Sequence, residues 1–155
     1  MKWIKYFKLF EKNSQINKED LEDIFINLID RFDIEISISE SKSIRLPDDI
    51  CYGRPSLNDI DYENTYDSIN IKLKNKEDII YDDNFLQELE YSIKKTESYY
   101  NLKLGNIYLN ISGSAIWFKS FDSLRYQYES NKNSFLQPTS HSRIKTHYIQ
   151  ISFEI

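Results

Sequence analysis

Residues 102–121, LKLGNIYLNISGSAIWFKSF, constrain the fold of this chain more than any other stretch. Ile107, Leu109 and Ile111 alternate with Tyr108, Asn110 and Ser112, the period of a strand with one buried face. Ser112-Gly113-Ser114 then supplies a turn, because glycine reaches positive φ without steric cost. Ala115-Ile116-Trp117-Phe118 runs back as the partner strand. The expectation is a hairpin in the middle of a sheet, with the remaining elements ranged against its apolar side.

The rest of the chain has the same clean periodicity. In residues 1–12, MKWIKYFKLFEK, the lysines share one side of a helix and Trp3, Phe7 and Phe10 the other, which predicts a short basic amphipathic helix. Asn17 is placed to cap a second helix in which Leu21, Ile24, Phe25, Leu28 and Phe32 follow helical spacing. Ile34, Ile36 and Ile38 read as a strand, and so do Ile69, Ile71 and Leu73. Between them, residues 41–66 lack period and hold Pro47, Gly53 and Pro55, which predicts a long loop. Asp82 and Asp83 suit the start of a helix carrying Leu86, Leu89, Ile93, Thr96 and Tyr100 on one face, with Gly105 just past its end. Leu124 to Tyr128 reads as an added or extended strand, and residues 129–142 as a second polar loop. Ile149, Ile151, Phe153 and Ile155 form a last alternating strand. Single-faced strands imply a mostly antiparallel sheet with helices on one side. The predicted fold is an α+β two-layer sandwich: about five strands, two main helices on one face, and the short N-terminal helix, in a single domain.

A chain of 155 residues buries roughly 70% of its unfolded surface, so no disulfide or metal is needed to hold it together. One cysteine, Cys51, excludes an internal disulfide and a cysteine-rich zinc site. No apolar run approaches the ~20 residues of a membrane-spanning helix. A net charge of −5 argues against strong non-specific nucleic-acid binding, which needs clustered Lys and Arg on the phosphates. The chain is rich in Ile, Lys, Asn, Tyr and Phe, whose codons are AT-rich. Its 12 tyrosines therefore read mainly as codon bias, with a tyrosine-built binding surface as the alternative.

Candidate chemistry is sparse. His141 and His147, six residues apart, would be separated by about 20 Å in an extended segment, too far to share a metal. Neither lies in the H-x-[ST] motif of the two-histidine phosphoesterases. Cys51 beside Arg54 would make a nucleophile only with a base brought from a distant histidine. Asp59, Asp61 and Glu63 begin like a calcium loop, but Asn64 stands where glycine is required and Asn70 where the bidentate acid belongs. There is no phosphate-binding glycine loop. No metal or cofactor is expected, and the balance leans away from an enzyme.

Met1, Lys2, Phe7 and Leu9-Phe10-Glu11 resemble the amphipathic N-terminal peptides that direct internal proteins of T-even-type tailed phages into the prohead, where a prohead protease cuts after a Leu/Ile-x-Glu site. The resemblance covers residues 1–11 and implies a phage-borne protein located in the host cytoplasm or packaged in the virion. Three functional readings follow. The first is a non-enzymatic phage accessory or virion-associated protein with a protein partner, engaged through Trp3, Phe7 and Phe10 or through its loops. The second is an acidic inhibitor or immunity-type protein whose contact is Asp59, Asp61, Glu63 and Asp67. The third is a hydrolase of nucleotides or nucleic acid, drawing on Cys51, Arg54, His141, Arg143 and His147 if the two loops meet in one cleft.

Overall fold

A computed structural model describes residues 16–46, 52–53, 65–111, 114–134 and 144–155. The elements in chain order are α1 (Lys18–Ile24), α2 (Ile26–Phe32), β1 (Glu35–Ile44), β2 (Tyr52–Gly53), β3 (Thr65–Tyr81), α3 (Asp83–Tyr100), β4 (Lys103–Ile111), β5 (Ser114–Phe118), α4 (Phe121–Ser134) and β6 (Ile144–Glu154). The chain is an α+β sandwich whose strands all pair antiparallel, in the order β1-β3-β6-β4-β5-β2. The expected N-terminal helix, with Trp3, Phe7 and Phe10, lies outside the described residues.

Local chemistry sets the element ends. The Asn17 side chain accepts from the Glu19 N–H to start α1, and Asp82 Oδ1 accepts from the Phe85 N–H at 2.9 Å to start α3. The single helix expected over 21–32 is two short ones meeting at Phe25, whose N–H is shared between Leu21 O and Glu22 O. Leu21, Ile24, Phe25 and Leu28 are buried all the same. Asp33 and Asn101 end α2 and α3 in the left-handed conformation, which an Asn or Asp side chain tolerates, so each helix turns almost directly into a strand.

Three expectations are corrected. The 107–118 hairpin forms, but only one of its strands is central: β4 lies beside β6 in the middle of the sheet, whereas among the described residues β5 has only the two-residue β2 beyond it. Residues 124–128 are not a strand but part of α4, because Phe121, Leu124 and Tyr128 are buried at helical spacing while Tyr126 is 67% exposed. The Ser120 hydroxyl accepts from the Ser123 N–H at the start of that helix. The stretches expected as loops at 41–66 and 129–142 are shorter, since β1 runs on to Ile44, β3 begins at Thr65 and α4 extends to Ser134.

The four helices among the described residues pack against one face of the sheet. Their buried side chains join Ile69, Ile71, Leu73, Ile107, Leu109, Ile149, Ile151 and Phe153 in one apolar cluster. Each such side chain, fully buried, contributes about 1.5–3 kcal/mol. Polar ties fix the helices to one another: Arg31 Nη1 to Glu88 Oε1 at 2.7 Å joins α2 to α3, and Arg125 Nη2 to Glu90 Oε2 at 3.0 Å joins α4 to α3.

Candidate functional site

Side chains alternate between faces along a strand, so burying Ile69, Ile71 and Leu73 under the helices sends Ser68, Asn70 and Lys72 to the other side. Residues directly opposite in an antiparallel pair share a face. The register therefore assembles the open face from Ser37, Ser39, Ser41 and Ser43 on β1, Ser68, Asn70, Lys72 and Lys74 on β3, Tyr148, Gln150, Ser152 and Glu154 on β6, Asn106 and Tyr108 on β4, and Trp117 on β5. Among the described residues no helix covers it.

Two arrangements occupy this face. The first is a row of rings across four strands. Trp117 meets Tyr108 edge-on with centroids 4.9 Å apart, Tyr108 stacks on Tyr148 at 5.4 Å, and Lys72 Nζ sits 4.1 Å above the Tyr148 ring. All four side chains are half-buried. Burial, followed by its hydrogen bond to Tyr108 and the charge interaction with that phenol, pushes the Tyr148 hydroxyl up to about 12.

The second is a buried polar cluster beside the row. Asn70 is its centre: Oδ1 accepts from Ser152 Oγ at 2.6 Å and Ser43 Oγ at 3.2 Å, and Nδ2 donates to Ser41 Oγ at 2.6 Å and Ser68 Oγ at 3.2 Å. Arg45 clamps Glu154 with two hydrogen bonds, at 2.8 and 3.3 Å, which with partial burial working against it holds that carboxyl below its usual range. The same guanidinium lies 5.0 Å above the Tyr66 ring, whose hydroxyl accepts from Asn106 Nδ2 at 3.0 Å. Burial pushes the Tyr66 hydroxyl up to about 12. The hydrogen bonds of the cluster tie β1, β3 and β6 together through Asn70.

A cleft of about 400 Å³ lies where β3 bulges away from β6 between Lys74 and Ile79, lined by Phe32, Asp33, Asn75, Lys76, Glu77, Asp78 and Ile79. Its Asp78 is already engaged, with His147 Nδ1 2.5 Å away. Among the described residues no group of three His, Cys, Asp or Glu is placed to hold a metal.

Of the residues singled out from the sequence, Asp67 and His147 are described, and they are not brought together. Asp67 is an exposed β3 residue paired with Lys42 at 3.2 Å, while His147 sits beside the bulge. Asn70, read above as a failed calcium ligand, is instead the buried centre of the polar cluster. Trp3, Phe7, Phe10, Cys51, Arg54, Asp59, Asp61, Glu63, His141 and Arg143 lie outside the described residues.

Comparison with protein-family models, with curated proteins and with solved structures gives no match to this chain. Function is therefore read from this face alone. Sequence reasoning missed the row because its members lie on four different strands. The available signal was that Tyr108, Trp117 and Tyr148 each stand at the outward position of an alternating segment.

Proposed function

We propose that the protein is a non-enzymatic binding protein that engages a protein partner through the open face of its sheet. The observation behind this reading is the Lys72–Tyr148–Tyr108–Trp117 row lying beside the exposed serines of β1. Rigid aromatic anchors next to small, adaptable hydroxyl and amide groups are the composition of protein-recognition surfaces. The rings have few rotamers to freeze on binding, while the serines accommodate varied hydrogen-bond partners. A nucleobase-stacking role is disfavoured by the chain's net charge of −5.

The test compares wild type with Tyr148→Ser and Trp117→Ser in affinity capture from the source cell, followed by calorimetric titration of the purified partner. Both variants should keep the wild-type circular dichroism and weaken binding by tenfold or more, as loss of an aromatic hot spot does. Capture of the same partner with undiminished affinity by both variants would remove the open face from the function. Turnover of a nucleotide or ester by the wild type would replace binding with catalysis.

The resemblance of residues 1–11 adds a second element to the proposal: the protein is packaged in a phage particle. Mass spectrometry of purified particles should then find it beginning at Lys12. Its absence from the particles would confine the function to the host cell.

A further inference from the structure

β1 is ten residues long and, among the described residues, pairs on one side only, with β3. Its residues 39–42 are all exposed, so the outer edge offers backbone N–H and C=O groups to another strand. Proteins usually blunt such an edge with charge. Within 39–42 the charges are Glu40 and Lys42, and their positions select a partner rather than excluding every one.

We propose that β1 pairs with β1 of a second copy of this chain, antiparallel across a two-fold axis through Ser41. Directly opposite residues in an antiparallel pair share a face. With Ser41 facing its own copy, Glu40 stands opposite Lys42 and Lys42 opposite Glu40, while Ile38 meets Ile44 and Ser39 meets Ser43 on each side of the axis. Neighbouring registers lose this match. An axis through Glu40 sets Glu40 against itself, and one through Lys42 sets Lys42 against itself. An axis through Ser39 puts Ile38 against Glu40, and one through Ser43 puts Lys42 against Ile44. A register halfway between residues places the helix-bearing face of one copy beside the open face of the other. Only the Ser41 axis joins opposite charges, joins isoleucine to isoleucine and keeps both helical layers on one side. Lys42 already has Asp67 at 3.2 Å within its own sheet, so Glu40 of the second copy would complete an alternating row of charges. Main-chain hydrogen bonds supply the affinity of such an edge contact, and the side chains supply its register.

Sedimentation velocity of the full chain, at concentrations up to about 1 mM, reads the association. Wild type should form a dimer. Glu40→Lys should weaken it by more than about tenfold, because two like-charge contacts replace two attractive ones. Glu40→Lys combined with Lys42→Glu should restore it, because the opposite charges meet again with signs exchanged. In a Cys51→Ser background, Ser41→Cys should cross-link the two copies on oxidation, since opposed strand residues lie about 4.5–5.5 Å apart at Cα, within disulfide reach. Ser39→Cys should not, since four residues of offset separate its copies by about 13 Å. Each variant should keep the circular dichroism spectrum of the wild type. A wild type that stays monomeric throughout, a dimer indifferent to Glu40→Lys, or cross-linking through Ser39→Cys as efficient as through Ser41→Cys would each overturn the proposal.

Discussion

Gly105 has no side chain because Tyr66 occupies that space: a Cβ built there runs into the Tyr66 hydroxyl and ring. The ring has nowhere to move, being 6% exposed, covered by Arg45 and bonded to Asn106. Gly105→Ala should therefore cost about 1–3 kcal/mol, the usual price of overpacking, read as a lower urea midpoint. Three tyrosines make a second residue-scale prediction. Burial raises Tyr66, Tyr100 and Tyr148 to about 12, against about 10 in an unfolded chain. A phenol whose proton is held more tightly in the fold stabilises it fully below about pH 10, and that contribution is lost as pH rises towards 12. The urea midpoint should fall across that window, and at least three of the 12 tyrosines should resist ionisation at pH 11 in an ultraviolet titration of the folded protein. Titration of all 12 together near pH 10 would contradict this. At this scale the sequence was partly legible. The alternation placed Asn70 and Tyr148 on the polar side, but Tyr66 fell in the stretch read as a loop, and nothing told that Asn70 would be buried or that Gly105 makes room for a ring.

Among the elements, α3 was the most legible, since its cap, its apolar stripe and its length all agree. Asp82 satisfies an otherwise orphaned N–H of the first turn, with Asp83 adding negative charge there. Asp82→Ala should lower stability by about 1 kcal/mol, whereas Asp82→Asn or Asp82→Ser should recover most of it. A thermal melt of the three variants checks this, and equal melting for Asp82→Ala and wild type would remove the cap from the account. The least legible element was α4. Its residues Leu124, Tyr126 and Tyr128 alternate as well as any strand, and the competing helical set of Phe121, Leu124 and Tyr128 is only three residues long. The Ser120 cap was the deciding signal. Phe25 shows the opposite case: the apolar period runs straight through the junction of α1 and α2, so the pattern saw one helix where the backbone has two.

For the whole molecule, pattern reading supplied strands and helices but not their order in space. Alternation tells which face of a strand is buried; it does not say which neighbour lies beside it, because β3, β4 and β6 have equally apolar inner faces. The structure puts β6 between β3 and β4, with Ile149, Ile151 and Phe153 almost wholly buried. Those three side chains contribute about 1.5–3 kcal/mol each, a sum comparable with the 5–15 kcal/mol that holds a typical domain together. A chain shortened by residues 144–155 should therefore lose its cooperative unfolding transition, and one that melts cooperatively would show that the two halves of the sheet stand without their keystone. The placement also matters while the protein is being made. β6 follows every other described strand along the chain, so synthesis leaves β3 and β4 each with one open side until residue 154 has emerged. At about 5–20 residues per second, the 43 residues from Ser112 to Glu154 take about 2–9 s. For that interval the growing chain holds two apolar half-sheets waiting for the same strand, and any other strand that reaches them first becomes a rival for the position.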